Sequence, residues 1–270
     1  MPKQRKISVV IPVYNEEAYI QDCLNTLVRQ TRPFDEIIVV DNNSQDKTIE
    51  LVSTYPGITV VRESNQGHQY AQKRGFSSAN GSWIVRIDAD TRLAENWCEI
   101  LDALIHTHRN TQAFTGRGTF YDVPFPALFG RLQIMMYQYF QYPAAGGWTL
   151  WGSVMAIERT AWVDAEKFCH DTTAVDEDID MTLALRKLGY RVLYTPMLNA
   201  AVSLRRGQTN IGSVVAYVRS WQQNYRYHGK NFAAGYIFLL TCIVVIFAGL
   251  AWLPIIIYQR LRMGCATGRC

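Results

Sequence analysis

The stretch that decides the fold is SWIVRIDADT, residues 82–91. It opens as a short, largely apolar run, which suits a strand covered on both faces, and it ends on two aspartates one residue apart. Carboxylates so placed repel each other unless a cation lies between them. With 13 aspartates in 270 residues, chance alone gives roughly 0.6 such D-x-D triplets, so the meaning must come from the surroundings.

Working outward, ISVVIPV (7–13), EIIVVD (36–41) and ITVV (58–61) are similar apolar runs. Helical spacing separates them: Ile20, Leu24, Leu27 and Val28 mark a helix within 16–30, Ser44 and Asp46 offer caps for a second, and a third runs over about 67–79. Strands alternating with helices predict an open parallel sheet with right-handed crossovers. In such sheets ligands bind beyond the carboxyl ends of the strands. Tyr14, Asn15 and Glu16, then Asp41, Asn42 and Asn43, then Asp88 and Asp90 fall at those ends. Their recurrence at one sheet edge points to a site more strongly than any single triplet does.

The second half is less regular. AFTGRGTFY (113–121) reads as a strand or hairpin, and 126–142 as a helix rich in Met and aromatics, suited either to core packing or to a lipid-facing surface. GGWTLWGSVMAI (146–157) is a glycine-broken loop leading into a strand. DEDIDMTLALRKLGY (176–190) is a helix with acids at its start and Arg186 and Lys187 near its end, matching the helix dipole, and RVLY (191–194) returns as a strand.

Composition sets bounds on the function. The chain is 49% hydrophobic and 19% charged, with a net charge of +4, and no basic run suggests nucleic acid. Cys23, Cys98, Cys169, Cys242, Cys265 and Cys270 show no C-x-x-C pair, as expected of reduced thiols in a cytosol-facing protein. The apolar start is interrupted too soon for a secretory leader. Residues 232–258 hold no charged side chain, and as a helix they would measure about 40 Å, enough to cross a bilayer. Arg219, Arg226 and Lys230 before the span balance Arg260, Arg262 and Arg269 after it, so charge does not set its orientation. The expected organisation is a domain over 1–231, a transmembrane helix over 232–258 and a short tail over 259–270. Within the domain, 6–92 forms a donor-binding half and 93–231 an acceptor-side half.

Taken in order, VVIPVYNEE (9–17), IIVVDNNSQDKT (37–48), NQGHQYAQKRGFSSANGSWIVRIDADT (65–91), GGWTLWGSVMAIER (146–159) and DEDIDMTLALRKLGYRVLYTP (176–196) resemble the family 2 glycosyltransferases. The resemblance implies a GT-A fold, an α/β/α sandwich with a mostly parallel central sheet, and inverting transfer from a nucleotide sugar. It implies Mg2+ or Mn2+ held by Asp90, with Asp88 also reaching toward the ribose. The cation would neutralise the departing diphosphate, and hard carboxylate oxygens suit such an ion. Pro12, Tyr14, Glu16, Asp41, Asn43 and Ala89 would complete the donor site, with Asp41 on the base, most naturally a uracil imide, so that a UDP-sugar is favoured over a GDP-sugar. Asn42 stands where a second aspartate is common in the family. Asp178, with Glu177 beside it, matches the family's acidic pair, making Asp178 the base that takes the acceptor's proton; Asp176 is placed to cap the same helix.

Trp151, Gly152, Ser153 and Met155 match the loop that meets sugar and acceptor, with Trp148 and Trp151 placed either to stack on a sugar or to pack. The Q-x-x-R-W motif of processive relatives is missing, the nearest match being Arg219-Ser220-Trp221. His170 and His228 are isolated histidines, read either as structural or as extra metal ligands. A membrane anchor suggests a lipid-linked glycan or a glycolipid as acceptor, at a cytosolic catalytic domain. A polyprenyl phosphate, as used by the dolichyl-phosphate mannose synthases, is the alternative acceptor, and a non-catalytic membrane adaptor is the alternative of another class. A nucleotidyltransferase would carry a glycine-rich basic loop where this chain has YNEE.

Overall fold

The computed structural model describes residues 5–205 and 211–242. Strands β1 (Ile7–Val13), β2 (Glu36–Asp41), β3 (Ile58–Arg62) and β4 (Trp83–Arg86) pair in parallel in the order β3-β2-β1-β4. They are joined through helices α1 (Ile20–Val28), α2 (Thr48–Val52) and α3 (His68–Ser78). All seven residues of β1 are buried. Val9 and Ile11 face a core shared with α1 and with α4 (Trp97–Thr107), whereas Val10 faces a second core. Each such side chain contributes about 1.5–3 kcal/mol by leaving water.

The second core lies under α3, α7 (Arg159–Glu166) and α8 (Glu177–Lys187), through Phe76, Trp162, Met181 and Leu185. Helices therefore cover both faces of the sheet. This explains why the central strands read as continuous apolar runs rather than as alternating ones.

The sheet extends through β7 (Met155–Glu158), β6 (Ala113–Phe120), β8 (Val192–Val202) and the two-residue β5 (Arg92–Leu93), giving eight strands in the order β3-β2-β1-β4-β7-β6-β8-β5. It is mixed within the mostly parallel arrangement expected: β7 runs antiparallel to both β4 and β6, and β5 antiparallel to β8, while the other six strands run the same way. The reason is the loop before β7. Met155 pairs with Arg86 at the upper end of β4, and Glu158 pairs with Trp83 at the lower end. A strand that leaves a loop hung over the carboxyl ends of its neighbours can only run back down between them. β6 and β8 are parallel again, with an irregular register between Thr115 and Arg117.

The helix expected over 126–142 is α5 (Pro126–Ile134), a π-helical turn at Met135–Tyr139, and α6 (Gln141–Ala145). Helix α9 (Ile211–Tyr227) is followed by another helix over 231–242. Together they close a third apolar cluster, in which Trp221, Tyr225, Ala234 and Ile237 meet Tyr137, Ile179 and Leu183. Residues 232–242 of the expected membrane span are thus helical, and 243–258 lie outside the described residues, as does the tail. No helix among the described residues is long and apolar enough to cross a membrane. Cys23, Cys98, Cys169 and Cys242 are free thiols.

Candidate active site

The segments at the carboxyl ends of β1, β2 and β3 converge on a cleft of about 460 Å³ lined by Pro12, Tyr14, Glu16, Asn42, His68 and Arg205, among others, and the loop after β4 adjoins it, with Asp88 near His68 and Asp90 against Arg205. The first wall is built by exchanged backbone contacts. Asn15 and Asn43 both adopt positive φ, at 55° and 70°, a region that asparagine tolerates better than most residues. Asn15 Oδ1 accepts from the Gln45 amide, and Glu16 N–H donates to Thr48 Oγ1. Asp41 Oδ1 accepts the Ser44 amide at 2.9 Å. Asn42 is used up structurally: its amide donates to the carbonyls of Glu63 and Asn65, and its oxygen accepts the Gly67 amide. Asn43 similarly donates to the Ser64 carbonyl.

The D-x-D pair sits just past β4, and both aspartates are buried. Asp88 Oδ1 accepts from Arg86 Nη2 at 2.9 Å, and Asp88 Oδ2 accepts from Ser153 Oγ at 2.6 Å. Asp90 Oδ2 accepts from Arg205 Nε at 2.9 Å, and the same guanidinium donates to Glu16 Oε1 at 2.6 Å. Arg205 follows β8, the most distant strand to send a residue here. The sequence reading did not single it out. Arg205 thus gathers Asp90 and Glu16, while Asp88, two residues before Asp90, is held by Arg86 and Ser153, and the ligand atoms that these acids offer are all carboxylate oxygens. This all-oxygen set fits Mg2+ or Mn2+ rather than a soft metal.

A second centre lies beneath, around Arg86. This residue is 1% exposed, inside a strand otherwise made of Trp, Ile and Val. A buried guanidinium is tolerable only among acids. Its Nη1 donates to Asp178 Oδ1 at 2.8 Å, its Nη2 reaches Asp88, and Glu177 Oε1 lies 3.4 Å away. Asp178 Oδ2 accepts the Gly152 amide at 2.6 Å. His68, at the start of α3, bridges: its Nδ1 is 2.9 Å from Glu177 and its ring is within 2.8 Å of Arg86 Nη2. The expected pair is therefore split by environment. Burial pushes the Asp178 carboxyl up to about 6, with Glu177 and Asp88 adding to the effect and Arg86 opposing it. Burial also works against the Glu177 charge, but His68 and Arg86 outweigh it and hold that carboxyl at about 2. Burial and Arg86 disfavour a charge on His68, yet Glu177 and Asp88 prevail and raise its pKa.

The start of α8 makes this possible. Asp176 caps the helix by accepting the Ile179 amide at 3.1 Å and also accepts the Tyr137 hydroxyl. With the cap supplied by Asp176, Asp178 is left to point at Gly152 and Arg86.

The acceptor-side loop has mixed roles. Gly152 and Ser153 touch the acids directly, as described. A side chain at 152 would overlap the Arg86 guanidinium and crowd Asp178, so only glycine allows this approach. Gly152→Ala is expected to cost about 1–3 kcal/mol by overpacking and to dislodge Arg86 from Asp178; urea unfolding together with activity checks both. Met155 is fully buried in the core, so its side chain offers nothing to an acceptor. Trp151 packs among three apolar clusters. Trp148 lies among Tyr139, Tyr142 and Tyr194, with ring centroids 5.6, 4.8 and 5.1 Å away. Ala89 is buried between the two aspartates, while Pro12 and Tyr14 line the cleft.

An open α/β sheet with paired acids beyond one strand and a helix-borne acid facing them is the GT-A type of transferase domain. The fold matches that of the mannosyltransferase PcManGT from Pyrobaculum calidifontis, solved in complex with GDP-Man and Mn2+. That match has a TM-score of 0.67 over 100% of this chain and 82% of that one, at 20% identity. The chain belongs to glycosyl transferase family 2, whose model matches residues 8–162, more than half of its length. Glycosyltransferase AglE of Haloferax volcanii is 37% identical over 100 residues, covering 34% of this chain and 33% of that protein. YdaM of Bacillus subtilis, named a probable glycosyltransferase, is 28% identical over 211 residues, or 73% and 50% of the two chains. The chain thus spans a third to a half of the length of these relatives.

Proposed function

We propose that this protein transfers a sugar, with inversion, from a UDP-sugar to a hydroxyl of a lipid-linked glycan or glycolipid. The observation that carries the reading is Asp178, fixed by Arg86 and the Gly152 amide next to the D-x-D acids. A carboxylate titrating near neutrality beside a diphosphate-binding edge is suited to take a proton from an attacking hydroxyl. A polyprenyl phosphate, already ionised, would not need it.

Asp90 and Asp88 would hold the divalent cation, which supplies neutralisation of the diphosphate's developing charge when bound. Ser153 holds Asp88 in place through its hydroxyl. Arg205 brings a positive charge to the mouth of the cleft between Glu16 and Asp90. Asp41 already takes the Ser44 amide on one oxygen. The other suits the single imide N–H of uracil better than the paired donors of guanine, which supports the UDP-sugar.

The membrane is part of the proposal. Helix 231–242 turns Ala234 and Ile237 into the core and leaves Phe232, Phe238 and Leu239 exposed, which supports continuation of the uncharged stretch to 258 as an anchor. The catalytic domain then faces the cytosol, where nucleotide sugars are made.

The test is nucleoside diphosphate release by detergent-solubilised protein, with a panel of UDP- and GDP-sugars, Mn2+ or Mg2+, and membrane lipid extract as acceptor. Asp90→Ala is expected to lower turnover at least about a hundredfold, since a metal's charge stabilisation is worth several kcal/mol, and to abolish metal-dependent UDP binding by calorimetry. Donor binding without metal dependence would overturn the assignment of the acids. Failure to bind any nucleotide would favour an adaptor that merely keeps the fold.

A further inference from the structure

The two isolated histidines of the sequence meet. His170, in the loop after α7, places Nδ1 2.8 Å from Asp180 Oδ1, and His228, just past α9, places Nε2 2.8 Å from the same oxygen. They lie 10 and 48 residues from Asp180 in the chain. The three candidate ligand atoms all lie within 4.8 Å of one another. The imidazoles cross at 85° with centroids 5.0 Å apart, so their nitrogens approach the carboxylate from different directions rather than as a stack. Asp180 Oδ2 is held by the His170 backbone amide at 2.6 Å, which turns Oδ1 toward both rings. Such an outer hydrogen bond is what fixes a ligating carboxylate in a metal site. Asp180 and His228 are deeply buried, while the His170 side chain is 30% exposed and opens a path from solvent.

We propose that His170, Asp180 and His228 form a second metal site, distinct from the D-x-D acids, for a tetrahedral dication of the Zn2+ class with water as fourth ligand. Two imidazoles and one carboxylate suit Zn2+ and its neighbours, whereas Mg2+ and Mn2+ prefer the all-oxygen acids at the cleft. With metal–ligand bonds near 2.0–2.1 Å, a tetrahedral site needs ligand atoms about 3.3 Å apart. The 2.8 Å separations then widen by about half an ångström, within the reach of side-chain rotation. The site joins three elements: the loop after α7, the first turn of α8, and the end of α9 that leads into helix 231–242. An ion here ties the C-terminal helices to the same helical turn that carries Asp178.

Co2+ is the probe, because its tetrahedral complexes absorb visibly, and the full-length protein is titrated after chelator treatment and dialysis. One equivalent is expected to produce the visible bands, Zn2+ to displace it, and Mg2+ to leave it in place. The bands should vanish in Asp180→Asn and in His228→Gln and persist in Asp90→Ala. His228→Gln retains a hydrogen-bond donor for Asp180, so a folded variant that no longer binds separates coordination from packing; circular dichroism confirms the fold. Zn2+ at about a hundredfold excess over its Kd should raise the melting temperature by about 5–10 °C in wild type and not in His228→Gln. Absence of the bands in wild type would overturn the site. So would bands that survive His228→Gln or disappear in Asp90→Ala. None of these readouts depends on glycosyl transfer.

Discussion

Asp178→Asn is expected to lower transfer to a hydroxyl acceptor by about 10²- to 10⁴-fold, the usual contribution of a positioned general base. The amide keeps the size of the side chain but can accept only one of its two donors, the Gly152 amide or Arg86 Nη1, so some stability is lost as well, and urea unfolding beside donor binding shows that the variant is folded before rates are compared. The wild-type rate should rise with pH through about 6, where Asp178 loses its proton, and this limb should be missing from whatever activity the variant retains. The sign for stability is the opposite. Asp178 binds its proton more tightly when folded than at its ordinary value of 3.8. Its contribution to stability is therefore present below that value and lost as pH rises through about 6. Rate and stability thus move in opposite directions across one window, and a pH–rate profile beside a pH series of urea midpoints reads both. Full activity in Asp178→Asn would transfer the assignment to an acceptor that arrives ionised.

Arg86→Met is the other large effect. The change keeps much of the apolar stem but leaves Asp88, Glu177 and Asp178 facing one another without the guanidinium. Removing one partner of a buried ionic cluster typically costs about 3–5 kcal/mol, and activity should fall because Asp178 and Asp88 both lose their anchor. Without the cation the acids take up protons more readily, so the loss should be greatest at alkaline pH and partly relieved as pH falls. Urea midpoints at pH 5.5 and pH 8 check it. An equal loss at both would mean that Arg86 acts through packing alone.

Much of the parallel half-sheet could be read from the chain, because strands covered on both faces must be apolar throughout and their ends mark the site. Asp41, Asp88 and Asp90 stand out as candidates for the same reason, whereas Asp178, at a helix start, is singled out by the family resemblance. Strand direction was not legible: MAIE at β7 looks the same whether it runs up or down, and only the loop before it decides. Arg86 carried a signal that was passed over, a charge within WIVR, since an arginine buried in an apolar strand demands acids nearby. His68 had no local pattern beyond its place at the start of α3. Arg205 meets Asp90 across 115 residues, and no periodicity reports such a meeting. His170 and His228 were visible as residues, but not their convergence on Asp180.

The reversal of direction at β7 has a consequence for recombination. It separates a parallel unit, β3-β2-β1-β4, from a second unit that supplies Gly152, Asp178 and Arg205. A chimera cut near residue 92 would look natural on the sheet, one relative providing the nucleotide half and another the acceptor half. Yet such a cut parts Arg86 from Glu177, Asp178 and Gly152 and leaves it only Asp88 among its acids. A foreign second half with alanine at 152, or with no acid at 178, would receive a buried cation that it cannot seat. Exchange between relatives therefore has a compatibility rule of three positions, 86, 152 and 178, which must travel together or match in advance.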